Sequence, residues 1–147
     1  MSAEIPTVHA SAVLAGARAV LIRGPSGAGK SRLALALITA ARTGLIPFAR
    51  LIGDDRVHVE PSHGRLLVRP AATLAGLIEL RGIGIRRLPS EAVGVVGLVI
   101  DLAAGDAERL PPNAETVISG IALPRLGVAA GEDALAPALF ALADIKP

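Results

Sequence analysis

Eight consecutive residues near the start of the chain have the spacing of a phosphate-binding loop. They fit the pattern G-x-x-x-x-G-K-[ST], and they are Gly24, Pro25, Ser26, Gly27, Ala28, Gly29, Lys30 and Ser31. Glycine has no Cβ, so such a loop can curl tightly and turn successive N–H groups toward an anion. Lys30 would reach the β- and γ-phosphates of a nucleotide, and the Ser31 hydroxyl would bind Mg²⁺. The spacing therefore predicts nucleotide binding.

The residues on either side of the loop support this interpretation. Residues 18–23 are typical of a strand and residues 33–38 of a buried helix. The loop would then end at a helix N-terminus, whose partial positive charge favours a phosphate. A glycine-rich turn before an ordinary helix would explain the glycines, but it would not explain Lys30 and Ser31 at the helix start.

A second candidate group, Gly53-Asp54-Asp55, follows a short strand predicted for residues 49–52. Neighbouring carboxylates repel each other unless a cation or a shared proton compensates. After a phosphate-binding loop, the pair suggests metal and proton chemistry. Gly-Asp-Asp is also good turn sequence, so the residues alone leave a solvated turn equally open.

Glu79 and Arg81 lie two apart in an otherwise apolar stretch. On a strand they would point to the same face, and a structural ion pair is the simpler interpretation. Gly82 and Gly84 follow directly, and they suggest instead a backbone that passes close to another group.

The elements that must position these residues begin with a tight hairpin. Residues 8–14 and 18–23 are joined too closely for a parallel crossover, so they must pair antiparallel and the sheet must be mixed. His9, at the start of the hairpin, is most simply a half-exposed strand residue. The other predicted elements are a helix over 30–42, a hairpin over 56–60 and 65–69, and a strand over 95–102. A strand region over 115–123, broken by Gly120, is followed by a loop with Arg125 and Gly127. The last predicted element is a helix over 132–145, in which Pro137 marks either a late start or a kink.

Composition excludes several functional classes. The chain has 147 residues, enough for one compact domain with a real core. It has no cysteine, which excludes disulfides and thiolate metal sites. Two phenylalanines are the only aromatic residues and the net charge is +2, so we expect no nucleic-acid partner. No apolar run approaches the roughly 20 residues of a membrane span, and we expect no signal peptide.

Four groups of residues, taken in order, resemble the catalytic domain of the HPr kinase/phosphorylase family. They are His9, the loop Gly24 to Ser31, Asp54-Asp55-Arg56-Val57, and Ile78-Glu79-Leu80-Arg81-Gly82-Ile83-Gly84-Ile85, which matches the family signature L-E-I-R-G-L-G-I with conservative exchanges. The resemblance runs from residue 8 to the end of the chain and does not include the N-terminal domain of longer members. It implies that residues 1–147 form a single catalytic domain.

The resemblance implies a role for each matched residue. Asp54 corresponds to the general base that takes a proton from a seryl hydroxyl of the phosphocarrier protein HPr, and to the general acid of the reverse phosphorolysis. His9 corresponds to the histidine that supports this aspartate.

The same resemblance implies a metal and phosphate environment formed by Ser31, Asp55 and Glu79. The signature arginine corresponds to Arg81. A further catalytic arginine of the family corresponds to Arg109, and a looser match places a later arginine loop at residues 124–127.

At the level of the whole molecule, the resemblance implies an α/β P-loop domain with a mixed sheet, similar to the nucleotide-binding part of phosphoenolpyruvate carboxykinase. ATP and Mg²⁺ are the implied cofactors and HPr is the implied partner. The resemblance also implies a cytoplasmic homo-oligomer, with six subunits as the expected number, and no membrane span.

Two other classes remain open from the residues. A small-molecule P-loop kinase, such as a nucleotide or shikimate kinase, would carry an arginine-rich lid, but the arginines beyond Arg87 are scattered. A non-catalytic nucleotide-binding regulator would more plausibly have lost Asp54 or Lys30, and both are present.

Overall fold

The computed structural model of the chain describes residues 6–107 and 114–145. Its elements are, in chain order, β1 (Thr7–Val8), β2 (Ala10–Ala15), β3 (Arg18–Arg23), α1 (Lys30–Arg42), β4 (Ala49–Gly53), β5 (Val57–Ser62), β6 (Arg65–Pro70), a 3-10 turn (Ala72–Leu74), β7 (Leu77–Leu80), β8 (Gly84–Arg87), β9 (Gly94–Leu102), β10 (Glu115–Ile118), β11 (Ile121–Val128) and α2 (Leu135–Ala143). Within the described ranges, no helix combines the length and the apolar character that crossing a membrane requires.

The main sheet is mixed and is centred on β3 and β9. Its strand order is β1-β5-β6-β9-β3-β2-β4. Strand β11 joins the sheet by pairing with the C-terminal half of β9, and β10 pairs with β11. The β3–β9 and β9–β11 pairs are parallel, whereas β2 and β3 pair antiparallel. This confirms the predicted hairpin and the α/β class with a mixed sheet. Strands β7 and β8 form a separate two-stranded sheet.

Strand β3 is held from both faces, which fixes the start of the phosphate-binding loop. Val20 and Ile22 pack with Leu37 of α1 in one apolar cluster, and Leu21 packs with Val68 in a second. Successive side chains of a strand point to opposite faces, so a single strand contributes to both layers. Helix α1 has the predicted bounds.

Two predicted local structures are wrong, one because of pairing between distant segments and one because a tight hairpin turn ends the strand early. Arg125 and Gly127 were expected in a loop, but both lie in β11, opposite Val99 and Asp101 of β9. Arg81 was expected on the same strand face as Glu79. Strand β7 ends at Leu80, however, and Arg81 lies in the turn to β8.

Pro137 within residues 132–145 predicts either a late helix start or a kink, and the structure shows the late start: helix α2 begins at Leu135. Pro137 then falls in the first turn, where the missing N–H breaks no helical hydrogen bond. The Asp133 carboxylate precedes the helix and accepts a hydrogen bond from the Leu135 N–H at 3.2 Å.

Candidate active site

The phosphate-binding loop adopts a tightly curled backbone between β3 and α1. Gly27 and Gly29 have φ angles of 84° and 101°, and a Cβ at either position would meet no neighbouring atom. Glycine is therefore needed at these two positions for the left-handed backbone and not for space. Inside the loop, the Ala28 N–H donates to the Pro25 carbonyl at 3.0 Å.

Lys30 lies at the first position of α1 and is largely buried. Its ammonium donates to the carbonyl oxygens of Gly24 at 2.9 Å and Pro25 at 3.2 Å. An ammonium has three N–H donors, so two hold the side chain across the loop and one is left for a phosphate oxygen.

Asp54 is buried beneath the loop, with only 4% of its surface exposed. Its Oδ1 accepts hydrogen bonds from the hydroxyls of Ser11 and Ser31, both at 2.7 Å. Its Oδ2 accepts from the same Ser31 hydroxyl at 2.9 Å and from the Glu79 backbone N–H at 3.3 Å. The carboxylate is fixed from several sides, and a side chain of another protein cannot reach it.

Asp55 occupies the opposite environment. Its side chain is 61% exposed, and its Oδ1 lies 2.8 Å from Nε2 of His9. Its backbone is left-handed, with φ of 68°, a conformation that costs free energy in most residues but is tolerated by aspartate and asparagine. The Ala10 N–H donates to the Asp55 carbonyl at 3.1 Å and helps to hold this turn.

The predicted pairing of His9 with Asp54 is therefore wrong: His9 contacts Asp55. The reason is the left-handed turn at Asp55. Asp54 directly follows β4 and points inward toward α1, whereas the turn sends the Asp55 side chain outward to the start of β2. The sequence pattern does not show the sign of φ, so it could not assign the histidine to one aspartate or the other.

The residues around Ser31 fit a Mg²⁺ ion. A serine hydroxyl can offer a lone pair to a metal while its proton stays on an acceptor, and the Ser31 proton lies on Asp54. In the part of the chain that the structure describes, no three His, Cys, Asp or Glu side chains lie close enough together to form a metal site. The exposed Glu79 side chain therefore does not form such a group with both aspartates. Mg²⁺ needs only one or two protein ligands when phosphates and water complete its shell.

Comparison with known proteins places this geometry in a family. The family model for the HPr serine kinase C-terminal domain matches residues 2–90, more than half of the chain. The chain belongs to this family. The HPr kinase/phosphorylase of Streptococcus thermophilus is 42% identical over 84 residues, covering 56% of this chain and 25% of that protein. The enzyme of the same name from Streptococcus pneumoniae is 35% identical over 139 residues, covering 86% of this chain and 42% of that protein.

A solved structure of similar length shares the fold. The HPr(Ser) kinase/phosphatase from Coxiella burnetii superposes with a TM-score of 0.76 over 95% of both chains, at 23% sequence identity. The chain spans less than half the length of the two streptococcal relatives.

Two arginines that the family resemblance implies as catalytic, Arg81 and Arg109, are not part of the contacts above. Arg81 is exposed in the turn between β7 and β8. That hairpin is tied to the site through the Glu79 N–H bond to Asp54. Arg109 falls outside the described residues.

A cluster of two arginines and two aspartates, which the sequence analysis did not bring together, lies beside the phosphate-binding loop. Arg23, the last residue before the loop, donates to both oxygens of Asp101 at 2.7 and 2.8 Å. Arg125 donates to Asp101 at 2.6 Å and, through two nitrogens, to Asp106 at 3.0 and 3.1 Å. We call these four residues the arginine–aspartate cluster.

Charge pairing shifts the titration of the arginine–aspartate cluster. Burial disfavours the charged form of Asp101, but the hydrogen bonds from Arg23 and Arg125 outweigh it, so the pKa of Asp101 lies below its ordinary value. The hydrogen bonds of Arg125 to Asp106 and Asp101 raise the arginine pKa. The end of β9 is thus held to the end of β3 by charged groups that stay ionised at neutral pH.

Proposed function

We propose that this domain transfers the γ-phosphoryl group of ATP to a seryl hydroxyl of the phosphocarrier protein HPr, and that it also catalyses the reverse phosphorolysis. The observation that carries the proposal is the exposed Asp55–His9 pair beside a preformed phosphate-binding loop. Membership of the HPr kinase family supports the choice of substrate. HPr as substrate would place the reaction in the cytoplasm.

The loop residues would hold and orient the phosphates. Phosphoryl transfer depends mainly on positioning and on stabilising charge, and Lys30 has a free N–H for this purpose. Ser31 would ligate the metal while Asp54 accepts the Ser31 proton, which aims the hydroxyl lone pairs at the ion. Mg²⁺ bound there would neutralise charge on the transferring phosphoryl group. Arg81 and Arg109 are proposed to add positive charge, by resemblance to the family.

Asp55, and not Asp54, is the proposed proton acceptor. A seryl hydroxyl is a weak nucleophile at neutral pH and gains from a positioned carboxylate. In the kinase direction the seryl oxygen bonds to the γ-phosphorus, the bond to ADP breaks, and the seryl proton passes to Asp55. In phosphorolysis, an oxygen of inorganic phosphate bonds to the seryl phosphorus and the seryl O–P bond breaks, which gives pyrophosphate, while protonated Asp55 returns its proton to the leaving seryl oxygen. The contact with His9 at 2.8 Å orients the carboxylate.

The proposal is tested by incubating the chain with γ-labelled ATP, Mg²⁺ and purified HPr, followed by phosphopeptide mapping. Label on a seryl residue of HPr is the expected result, and a reaction with the Lys30→Ala variant is the control for a contaminating kinase. Label on a small molecule would indicate a metabolite kinase. Nucleotide binding without transfer would indicate a regulator, and either result contradicts the proposal.

We also propose that the domain works as a homo-oligomer, with six subunits as the family resemblance implies. Several large apolar side chains of the described residues are exposed, and Phe140 is 79% exposed on the short helix α2. Exposed apolar side chains are compatible with subunit surfaces that are buried in an oligomer. Ile83 and Ile85 are also exposed and lie on the β7–β8 hairpin beside the site.

A further inference from the structure

Ser11 lies inside the sheet, and none of its surface is exposed. The described residues contain three buried polar or charged side chains, namely Ser11, Lys30 and Asp54. The other two belong to the phosphate-binding loop and to the acidic pair. A buried hydroxyl needs a hydrogen-bond partner to offset its lost hydration, and here that partner is part of the proposed active site.

The position of Ser11 in β2 places it between the strands that carry the loop and the acidic pair. On one side Ser11 pairs with Ile22 of β3, one residue before the end of that strand. On the other side its neighbour Ala12 pairs with Gly53, which directly precedes Asp54. His9 lies two residues earlier in the chain, so one short segment supplies the partners of both aspartates.

The Ser11 hydroxyl contacts both members of the acidic pair. It donates to Oδ1 of Asp54 at 2.7 Å and accepts from the Asp55 backbone N–H at 3.4 Å. One proton and two lone pairs allow both interactions at once. The short bond to Asp54 continues through the same carboxylate oxygen to the Ser31 hydroxyl, at 2.7 Å.

We propose that Ser11 is a positioning residue that acts through Asp54 on the metal-binding hydroxyl of Ser31. Its hydrogen bond to Oδ1 fixes the rotation of the Asp54 carboxylate. In that orientation Asp54 accepts the Ser31 proton, and the lone pairs of the Ser31 hydroxyl then face the ion. This inference rests on the proposed function, since it assumes a nucleotide–Mg²⁺ complex at the loop. Groups that orient a metal ligand from behind typically change metal affinity by about 10–100-fold when they are removed.

The test is the magnesium dependence of nucleotide binding, measured by calorimetry with a non-hydrolysable ATP analogue in Mg²⁺ and in EDTA. In Ser11→Ala, the factor by which Mg²⁺ increases the affinity for the nucleotide should be about tenfold smaller than in the unmodified chain. The affinity in EDTA should stay close to that of the unmodified chain. Ser62→Ala, which removes a strand hydroxyl that contacts His63 instead, is the matched control and should leave both affinities unchanged. Equal magnesium dependence in Ser11→Ala and the unmodified chain would overturn the inference.

Two further variants separate positioning from simple loss of folding. Ser11→Thr keeps the hydroxyl and should restore most of the magnesium dependence that Ser11→Ala loses. In an Asp54→Asn background, Ser11→Ala should have no further effect on magnesium dependence, because its route to Ser31 has already been altered. An additive effect in that background, or no rescue by threonine, would contradict action through Asp54.

The binding readout also separates this inference from the proposed function. If HPr is not phosphorylated but Mg²⁺-dependent nucleotide binding falls in Ser11→Ala, the proposed reaction fails and the role of Ser11 stands. If HPr is phosphorylated and magnesium dependence is unchanged in Ser11→Ala, the reaction stands and the role of Ser11 is refuted.

Discussion

Asp54 and Asp55 are neighbours in the chain but have opposite surroundings. Asp54 is 4% exposed and is held by hydroxyl and amide donors, whereas the Asp55 side chain is 61% exposed and touches His9. A group that must take a proton from another protein has to be accessible, and a group that orients a buried metal ligand has to be fixed. The exposure of the two carboxylates therefore separates their proposed roles more clearly than their order in the sequence does.

The lysine of the loop gives a first prediction at the scale of one residue. Lys30→Ala should lower phosphoryl transfer by at least about 10²-fold, the usual cost of removing a preorganised charge-stabilising donor. It should leave the fold intact, because the Lys30 hydrogen bonds go to the loop that the ligand uses. Turnover and thermal unfolding measure the two effects. Arg32→Ala, which removes an exposed cation of the same helix, is the control and should retain turnover; normal turnover by Lys30→Ala would remove the loop from the mechanism.

The arginine–aspartate cluster gives a second prediction, on stability and pH. Because hydrogen bonds from two arginines lower the pKa of Asp101 in the folded state, its contribution to stability is complete above the unfolded pKa of about 3.9. That contribution is lost as the pH falls through the folded value. Asp101→Asn should cost about 2 kcal/mol at pH 7, and the difference from the unmodified chain should shrink in acid below about pH 4.

Urea unfolding at a series of pH values measures this effect. Asp106→Asn is the control, because Asp106 is exposed and solvent screens its pairing with Arg125. A cost for Asp101→Asn that is the same in acid and at neutral pH would show that the carboxylate charge is not what stabilises the end of β9.

At the scale of elements, the sequence predicts the helices, strands and loops that are determined by neighbouring residues in the chain. Helix α1 has its predicted bounds because a glycine-rich loop precedes it and a nearly continuous apolar run forms it. The predicted strand region 115–123 covers β10 and the first three residues of β11. The rest of β11 was missed because Pro124 and Gly127 are weak strand formers, and their pairing with β10 and β9 involves residues elsewhere in the chain. The site follows the same division: the loop spacing is local, whereas the contacts of Asp54 with Ser11 and of Asp55 with His9 require the folded sheet.

The end of β4 gives a third prediction, because Gly53 leaves no room for a side chain. A Cβ there would lie 2.7 Å from Cγ1 of Val57 and 3.2 Å from Cα of Pro70. Gly53→Ala should therefore destabilise the domain by roughly 1–3 kcal/mol and shift Asp54, which follows directly. Gly105→Ala is the matched control, because a Cβ there meets no atom within 4 Å. Unfolding and Mg²⁺-dependent nucleotide binding measure both effects, and equal stability of the two variants would contradict the tight contact.

At the scale of the whole molecule, the proposed homo-oligomer gives a prediction on mass. Sedimentation velocity should show a species of roughly six times the 14.9 kDa chain mass, as the family resemblance implies. Phe140→Ser should shift the distribution toward smaller species if α2 lies in the interface, because this ring is 79% exposed on the single chain. A single boundary at the mass of one chain, at working concentration, would contradict the oligomer.

The division of labour between the two aspartates can be measured directly by comparing Asp54→Asn with Asp55→Asn. Asparagine tolerates the left-handed backbone at position 55, so Asp55→Asn should keep Mg²⁺-dependent nucleotide binding. Its rates of phosphorylation and of phosphorolysis should both fall by about 10²–10⁴-fold, since an amide cannot accept the proton. Asp54→Asn should instead lose the magnesium dependence of binding. Loss of metal-dependent binding in Asp55→Asn, with a normal magnesium response in Asp54→Asn, would contradict the assignment of Asp55 as the proton acceptor.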